Sequence, residues 1–244
     1  MVGTTTAGTL INNGTLAGAS SSELLDVNST LAGEGLVRNV FIDGIHSPGN
    51  PQTGHPTASV PIEGEYNFGN GPGINGDNRL IIEIGGTTPG DDYDQLVSAD
   101  PANVVTIRTF GTVLDVSLIN GFVPSGGDTF VILTTAGTIN GMFAQVILPA
   151  LPPGLTWDPV NKTSTSLTLS VSCTSSYDFD CDGDVDLDDF GLFQVCISGP
   201  GISLTPGCQT RDFDVDDDVD QSDFGAFQRC YSGAGNPPDP SCMN

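Results

Sequence analysis

The segment DFDCDGDVDLDDF (178–190) contains seven aspartates in thirteen residues. Carboxylates at alternate positions are suited to holding a hard divalent cation, which takes oxygen ligands. Counted from Asp178, positions 1, 3, 5, 7, 9 and 12 are Asp178, Asp180, Asp182, Asp184, Asp186 and Asp189, and position 6 is Gly183. This is the D-x-D-x-D-G spacing of a calcium loop. Ca2+ takes roughly six to eight oxygens at about 2.3–2.6 Å. Alternate side chains of a tightly wound loop converge, so positions 1, 3 and 5 supply carboxylates. Position 7 supplies a backbone carbonyl, so the Asp184 side chain need not bind. Position 9 binds directly or through water, and position 12, already on the following helix, closes the cage. Glycine at position 6 permits the sharp turn at positive φ.

A second copy, DFDVDDDVDQSDF (212–224), starts 34 residues after the first. Its ligand positions are Asp212, Asp214, Asp216, Asp218, Asp220 and Asp223. Position 6 is now Asp217. A left-handed backbone costs a non-glycine residue about 1–2 kcal/mol, although Asp is among the more tolerant. The second loop is therefore expected to bind more weakly or to bend differently. An acidic, solvated tail would account for one such segment, but not for two in register that both close with Asp and then Phe. The repeat continues beyond the loops, since DFGLFQVCISG (189–199) matches DFGAFQRCYSG (223–233). Phe190/Phe193 and Phe224/Phe227 stand three apart, which gives each copy a small apolar face on a short helix. Gly199 and Gly233 are the expected helix stops.

Two carboxylates ~4 Å apart repel by about 1 kcal/mol in water. Five ligand carboxylates per loop then impose several kcal/mol, comparable with the stability of a small domain. Without Ca2+ this region is expected to be disordered or held only by disulfides.

All six cysteines lie between Cys173 and Cys242. Six cysteines allow fifteen pairings. Cys196 and Cys230 occupy equivalent repeat positions, and Cys208 and Cys242 each follow twelve residues later. The simplest symmetric pairing is Cys196–Cys208 and Cys230–Cys242, leaving Cys173–Cys181. The rival, a zinc site, lacks a C-x-x-C and any His in this region. Disulfides indicate an oxidising compartment. A domain of ~70 residues has little core, and cross-links and metal compensate for that.

The chain has 244 residues, with 30 acidic against 6 basic and a net charge of −24. That balance argues against nucleic acid and anionic membrane surfaces, both of which need a basic face. Residues 1–172 hold 15 acids and 4 bases, and residues 173–244 hold 15 and 2 in less than half the length. The domain boundary is therefore placed at Cys173, giving domains 1–172 and 173–244. No apolar run approaches the ~20 residues of a membrane span. MVGTTTAGTLINNGTLAG lacks the basic and apolar regions of a signal peptide. Together with the cysteines, this leads us to expect a piece of an exported protein whose signal lies upstream.

Residues 1–172 read as all-β. LVRNVFI (36–42), RLIIEI (79–84), VVTIRTF (104–110), TVLDVSLI (112–119), TFVILTT (129–135) and SLTLSV (166–171) are short, rich in β-branched residues and bounded by turn signals. NNGTLAG (12–18) and NSTLAGEG (28–35) are weakly similar and suit the rungs of a β-solenoid. The stretch from Gly127 to Val171 looks more like antiparallel hairpins or a closing cap, so a sandwich stays open. Asp91, Asp92 and Asp94 cluster beside Tyr93, and paired carboxylates can hydrolyse glycosides. A solvated turn after GGTTPG is the expected reading. His46 and His55, in a Pro/Gly-rich stretch, are weak candidates for a structural metal. No nucleophile elbow, phosphate loop or dinucleotide fingerprint is present.

The duplicated loop–helix unit, with Asp at position 12 and no helical segment before the first loop (SCTSSY), resembles the dockerin type I module over about residues 176–235. The resemblance implies two bound Ca2+ ions and docking onto a cohesin domain. It also implies that loop positions 10 and 11, here Leu187/Asp188 and Gln221/Ser222, help choose the partner. The two pairs differ, which argues against symmetric two-way docking. The Cys-rich flanks are closer to dockerin-like tails of large bacterial surface proteins. The run from about Leu31 to Val171 resembles bacterial autotransporter-associated β-strand repeat proteins. The pieces that carry this are HSPGNP (46–51), GEYNFG (64–69), LIIEIGG (80–86), YDQL (93–96), LDVSLINGFVPSGGDTFVIL (114–133) and LPPGLTWD (151–158). It implies the end of a secreted or surface β-solenoid.

The sequence thus leads to a non-catalytic secreted or cell-surface protein: a solenoid-like all-β domain with a closing cap, plus a small α domain with two EF-hand-type loops. The partner would be a cohesin-like protein or a surface-layer component. Two alternatives stay open, a member of a polysaccharide-degrading system and a purely structural surface protein.

Overall fold

A computed structural model describes residues 9–20, 23–27, 29–49, 56–69, 78–109 and 111–243. His55 lies outside these. The described strands are β1 (Thr9–Ile11), β2 (Thr15–Ala17), β3 (Leu25–Val27), β4 (Thr30–Gly33), β5 (Leu36–Ile42), β6 (Ile45–Pro48), β7 (Ser59–Phe68), β8 (Asn78–Ile84), β9 (Gln95–Ser98), β10 (Val104–Ile107), β11 (Thr112–Leu118), β12 (Thr129–Thr135), β13 (Thr138–Gly141), β14 (Gln145–Ile147), β15 (Leu155–Trp157), β16 (Asn161–Lys162) and β17 (Ser166–Cys173). The helices are α1 (Leu187–Gln194) and α2 (Gln221–Cys230). None of the described helices is long and apolar enough to cross a membrane.

The chain divides into two compact units. The first comprises 1–124, 129–150 and 158–170, and the second 125–128, 151–157 and 171–244. Two short segments from before Cys173 therefore group with the tail.

The first unit is built of strands. One sheet has the order β1-β4-β6-β8-β11-β14, with every neighbour parallel. In the other, β5, β7, β10 and β13 are parallel neighbours. The N-terminal part of β7 also pairs with β9, and β9 with β12, again in parallel. Antiparallel pairing starts where β12 meets β17, and β16 joins β17 in the same sense.

Parallel register stacks like on like. Leu10, Leu31, His46, Leu80, Leu114 and Val146 are partners in turn along one sheet. Val40, Tyr66, Val105 and Ile139 form the matching column on the other. Alternate residues face inward, so β8 reads buried at Leu80, Ile82 and Ile84. A bulge between Arg38 and Val40 shifts the β5–β7 register. There Asn39 takes a positive φ and its Oδ1 accepts the Glu65 N–H at 3.1 Å. Only glycine fits opposite, because a Cβ on Gly64 would lie 2.1 Å from that oxygen.

His46 lies on a strand, inside the leucine column, and not in a loop. Its side chain is buried, and Nδ1 shares a 2.6 Å hydrogen bond with the Tyr66 hydroxyl of the facing column. Burial brings its pKa down to about 4. The folded state therefore favours the neutral ring. The stability this contributes is present above the unfolded pKa of about 6.5 and lost as pH falls from there toward 4. The loss should be about 3 kcal/mol in total. Thermal unfolding of the chain between pH 7 and pH 4 should show a drop in Tm that His46→Gln reduces. Equal pH dependence in both proteins would refute this role.

Candidate metal centres

The second unit holds both loops. α1 and α2 start at loop position 10, so position 9 is the N-cap of each helix. Asp186 accepts from the Asp188 N–H at 2.8 Å, and Asp220 from the Ser222 N–H at 2.7 Å. Position 12 completes a capping box in both copies, with Asp189 accepting from the Asp186 N–H and Asp223 from the Asp220 N–H, each at 2.8 Å. The second oxygen of each reaches back to position 2, where Asp189 Oδ1 accepts from Phe179 N at 2.5 Å and Asp223 Oδ1 from Phe213 N at 2.6 Å. Both carboxylates are fully buried. Sequence spacing did not reveal that positions 9 and 12 also start the helices.

Position 1 closes the turn. Asp178 accepts from the N–H groups of Asp182 and Gly183 at 3.1 and 2.9 Å, and Asp212 from those of Asp216 and Asp217 at 3.2 and 3.0 Å. Oxygens of Asp178, Asp180 and Asp189 lie within 4.8 Å of one another, as do those of Asp184, Asp186 and Asp189. The second copy gives Asp212, Asp214 and Asp223, and Asp218, Asp220 and Asp223. These clusters could hold a metal ion. Position 5 is outside them: Asp182 and Asp216 accept the N–H of Asp184 and Asp218, each at 3.2 Å. The crowding appears in the electrostatics. Burial, then Asp189, pushes Asp178 up to about 6. Asp180 and Asp189 are raised by burial and by neighbouring carboxylates, and Asp214 is raised as well. A bound cation would reverse that direction.

The left-handed turn falls where expected, with φ of 101° at Gly183 and 70° at Asp217. Position 4 is left-handed too, at 60° for Cys181 and 59° for Val215, which neither residue type announces. The difference at position 6 has a packing cause. A Cβ on Gly183 would lie 3.0 Å from Gly154 N and 3.2 Å from Pro153 C, on the LPPG segment beside the first loop. Asp217 is exposed.

The two repeats are interlocked. Ser232 and Gly233 donate their N–H to Val185 O, and Ser198 and Gly199 donate theirs to Val219 O. Val185 N–H donates to Ser232 Oγ and Val219 N–H to Ser198 Oγ. Beneath these contacts lies a core of Val185, Phe193, Val219, Ala226 and Phe227. Phe179 stacks on Phe227 at 6.1 Å, and Phe213 on Phe193 at 6.3 Å, so position 2 of each loop packs on the other copy's helix. Arg211 lies over the Phe179 ring at 4.2 Å. The disulfides are Cys173–Cys181, Cys196–Cys208 and Cys230–Cys242. Three disulfides indicate an oxidising location. Leu187, Asp188, Gln221 and Ser222 are exposed on the first turns of the helices. Leu187 also borders a shallow apolar groove with Phe190, Phe224, Phe227, Gln228 and Tyr231, and a second groove is lined by Phe190, Ile197, Pro200 and Phe224.

The Asp91–Asp94 cluster in the first unit serves its backbone. Asp94 is buried and accepts the N–H groups of Ala58 and Glu83, each at 2.9 Å, while burial pushes its pKa up to about 8. The Thr88 hydroxyl, and then the Thr88 N–H that Asp92 accepts at 3.0 Å, lower the Asp92 pKa. Tyr93 packs edge-on against Phe130.

No protein-family model matches the chain, and no curated protein matches it.

The two position-6 residues should respond oppositely to exchange. Asp217→Gly should stabilise the second unit by about 1 kcal/mol, and Gly183→Asp should destabilise it by more than that because of Pro153 and Gly154. Urea unfolding of the full chain measures both. Equal and opposite changes would remove the packing explanation.

Proposed function

We propose that this chain is a non-catalytic, secreted or cell-surface protein whose dockerin-like tail binds Ca2+ and attaches to a protein partner. On this reading the first unit is a β-solenoid with an antiparallel cap and serves as structure. The observation that carries the calcium reading is the gathering of aspartate oxygens in both repeats around a buried position-12 carboxylate. Carboxylates concentrated against their own repulsion are the arrangement that a divalent cation relieves. Support for the solenoid comes from the ladder of parallel partners, among them Ile45, Arg79 and Val113.

Attachment is supported by the apolar side chains left outside on the helices. Leu187 is 69 % exposed, Val195 77 % and Tyr231 45 %. Leu187 and Tyr231 border one groove on a strongly acidic tail, so the fitting partner has an apolar ridge flanked by basic residues. We take that partner to be a cohesin-like domain or a surface-layer component.

Removing Ca2+ with EDTA should abolish most of the helical circular dichroism signal, and adding Ca2+ should restore it. An unchanged signal, together with no calorimetric binding, would overturn the calcium reading. For attachment, the chain should bind members of a cohesin panel in Ca2+ and not in EDTA, and Leu187→Asp should weaken that binding at least tenfold. Calcium-dependent folding without binding to any cohesin would favour the purely structural role.

A further inference from the structure

Position 7 does not fit a one-ion loop. Such a loop uses only the backbone carbonyl there, yet both copies place an aspartate at this position and bury it. Asp184 is 6 % exposed and Asp218 4 %. Each commits one oxygen across the repeats, with Asp184 Oδ2 accepting from the Gly235 N–H and Asp218 Oδ2 from the Gly201 N–H, both at 2.5 Å. The other oxygen, Oδ1 in both, is buried and has no hydrogen-bond partner among the described residues. Leaving a buried carboxylate oxygen without a donor is costly, and a cation is one of the few groups that removes the cost.

The surroundings supply the rest of a site. An oxygen of Asp184 lies within 4.8 Å of oxygens on Asp186 and Asp189, and Asp218 stands in the same relation to Asp220 and Asp223. An ion with Ca–O distances of about 2.4 Å can span ligand oxygens at most about 4.8 Å apart. The carboxylates of each loop resolve into two such triads and do not merge into one. The position-12 carboxylate belongs to both, with one oxygen turned toward position 2 and the other toward position 9.

We propose that each loop holds two divalent cations. The first lies among Asp178, Asp180 and Asp189, and the second among Asp184, Asp186 and Asp189. In the second repeat the corresponding sets are Asp212, Asp214 and Asp223, and Asp218, Asp220 and Asp223. The position-12 carboxylate is common to both sets. Charge favours the double occupancy: one dication offsets two of the six ligand-position charges in a loop, and two offset four. The inference rests on the calcium reading of the loops and adds to it.

Equilibrium dialysis of the full chain against Ca2+ at physiological ionic strength, with bound metal counted by atomic emission, separates the two. Four ions per chain are expected. Asp184→Asn with Asp218→Asn keeps a side-chain oxygen for the Gly235 and Gly201 N–H groups and is expected to bind two. If circular dichroism in Ca2+ shows that this variant is not folded, the single variants are compared instead, and each should bind three. More than two ions on the unaltered chain, falling in the variants, supports the second positions. One or two ions on the unaltered chain, or an excess that persists in the variants, overturns them and leaves the loops as calcium sites. No bound ion at all overturns the calcium reading itself.

Discussion

The second unit depends on two buried carboxylates, those of Asp189 and Asp223. Each ties three things together: the start of its helix through the N–H of the N-cap residue, the closure of its loop through the N–H of position 2, and the meeting point of both aspartate clusters. At Asp189 burial opposes the ionised form while backbone donors favour it, so the loop closes and the helix starts on one carboxylate. Helix initiation and assembly of the ligands are then one event. The same linkage explains how helices as short as Leu187–Gln194 and Gln221–Cys230 persist. Isolated helices of that length are marginal in water, and these are fastened at the N-terminus by the loop and along one face by the phenylalanine core.

The first unit handles its polar groups differently. Its buried carboxylate, Asp94, spans two backbone N–H groups, and its buried imidazole is shared with a tyrosine. Arg79 pairs with Asp115 and Arg38 with Glu63 across neighbouring parallel strands. Strand ladders and aliphatic columns carry this part of the chain. The acidic charge that dominates the tail is sparser here.

Much of this was readable from the residues, and the reasons differ by element. The loops were legible because ligand spacing is written in one residue type and repeated. The strands were legible from β-branched runs. Which strands pair was not, because a two-residue period says which side faces inward and nothing about the neighbour. His46 illustrates the gap: beside Pro48 and Gly49 it reads as a loop residue, and only the parallel register puts it between Leu31 and Leu80. Position 4 of the loops was equally hidden, since Val215 is among the residues least suited to a left-handed backbone. The reason for glycine at 183 but not at 217 lies in Pro153 and Gly154, about thirty residues earlier in the chain.

The exchange of contacts between the repeats has a consequence for how such a tail can change over time. Apart from a long Ser232 Oγ–Val185 O bond at 3.5 Å, the bonds that Asp184, Val185 and Ser198 make across the middle are returned by Asp218, Val219 and Ser232. In symmetry terms the tail is a two-fold dimer whose halves happen to share one chain. Its heritable unit is the single 34-residue half, but its foldable unit is the pair. The halves differ at exposed positions, Leu187 against Gln221, and agree at those that face the axis, Val185 with Val219 and Ser198 with Ser232.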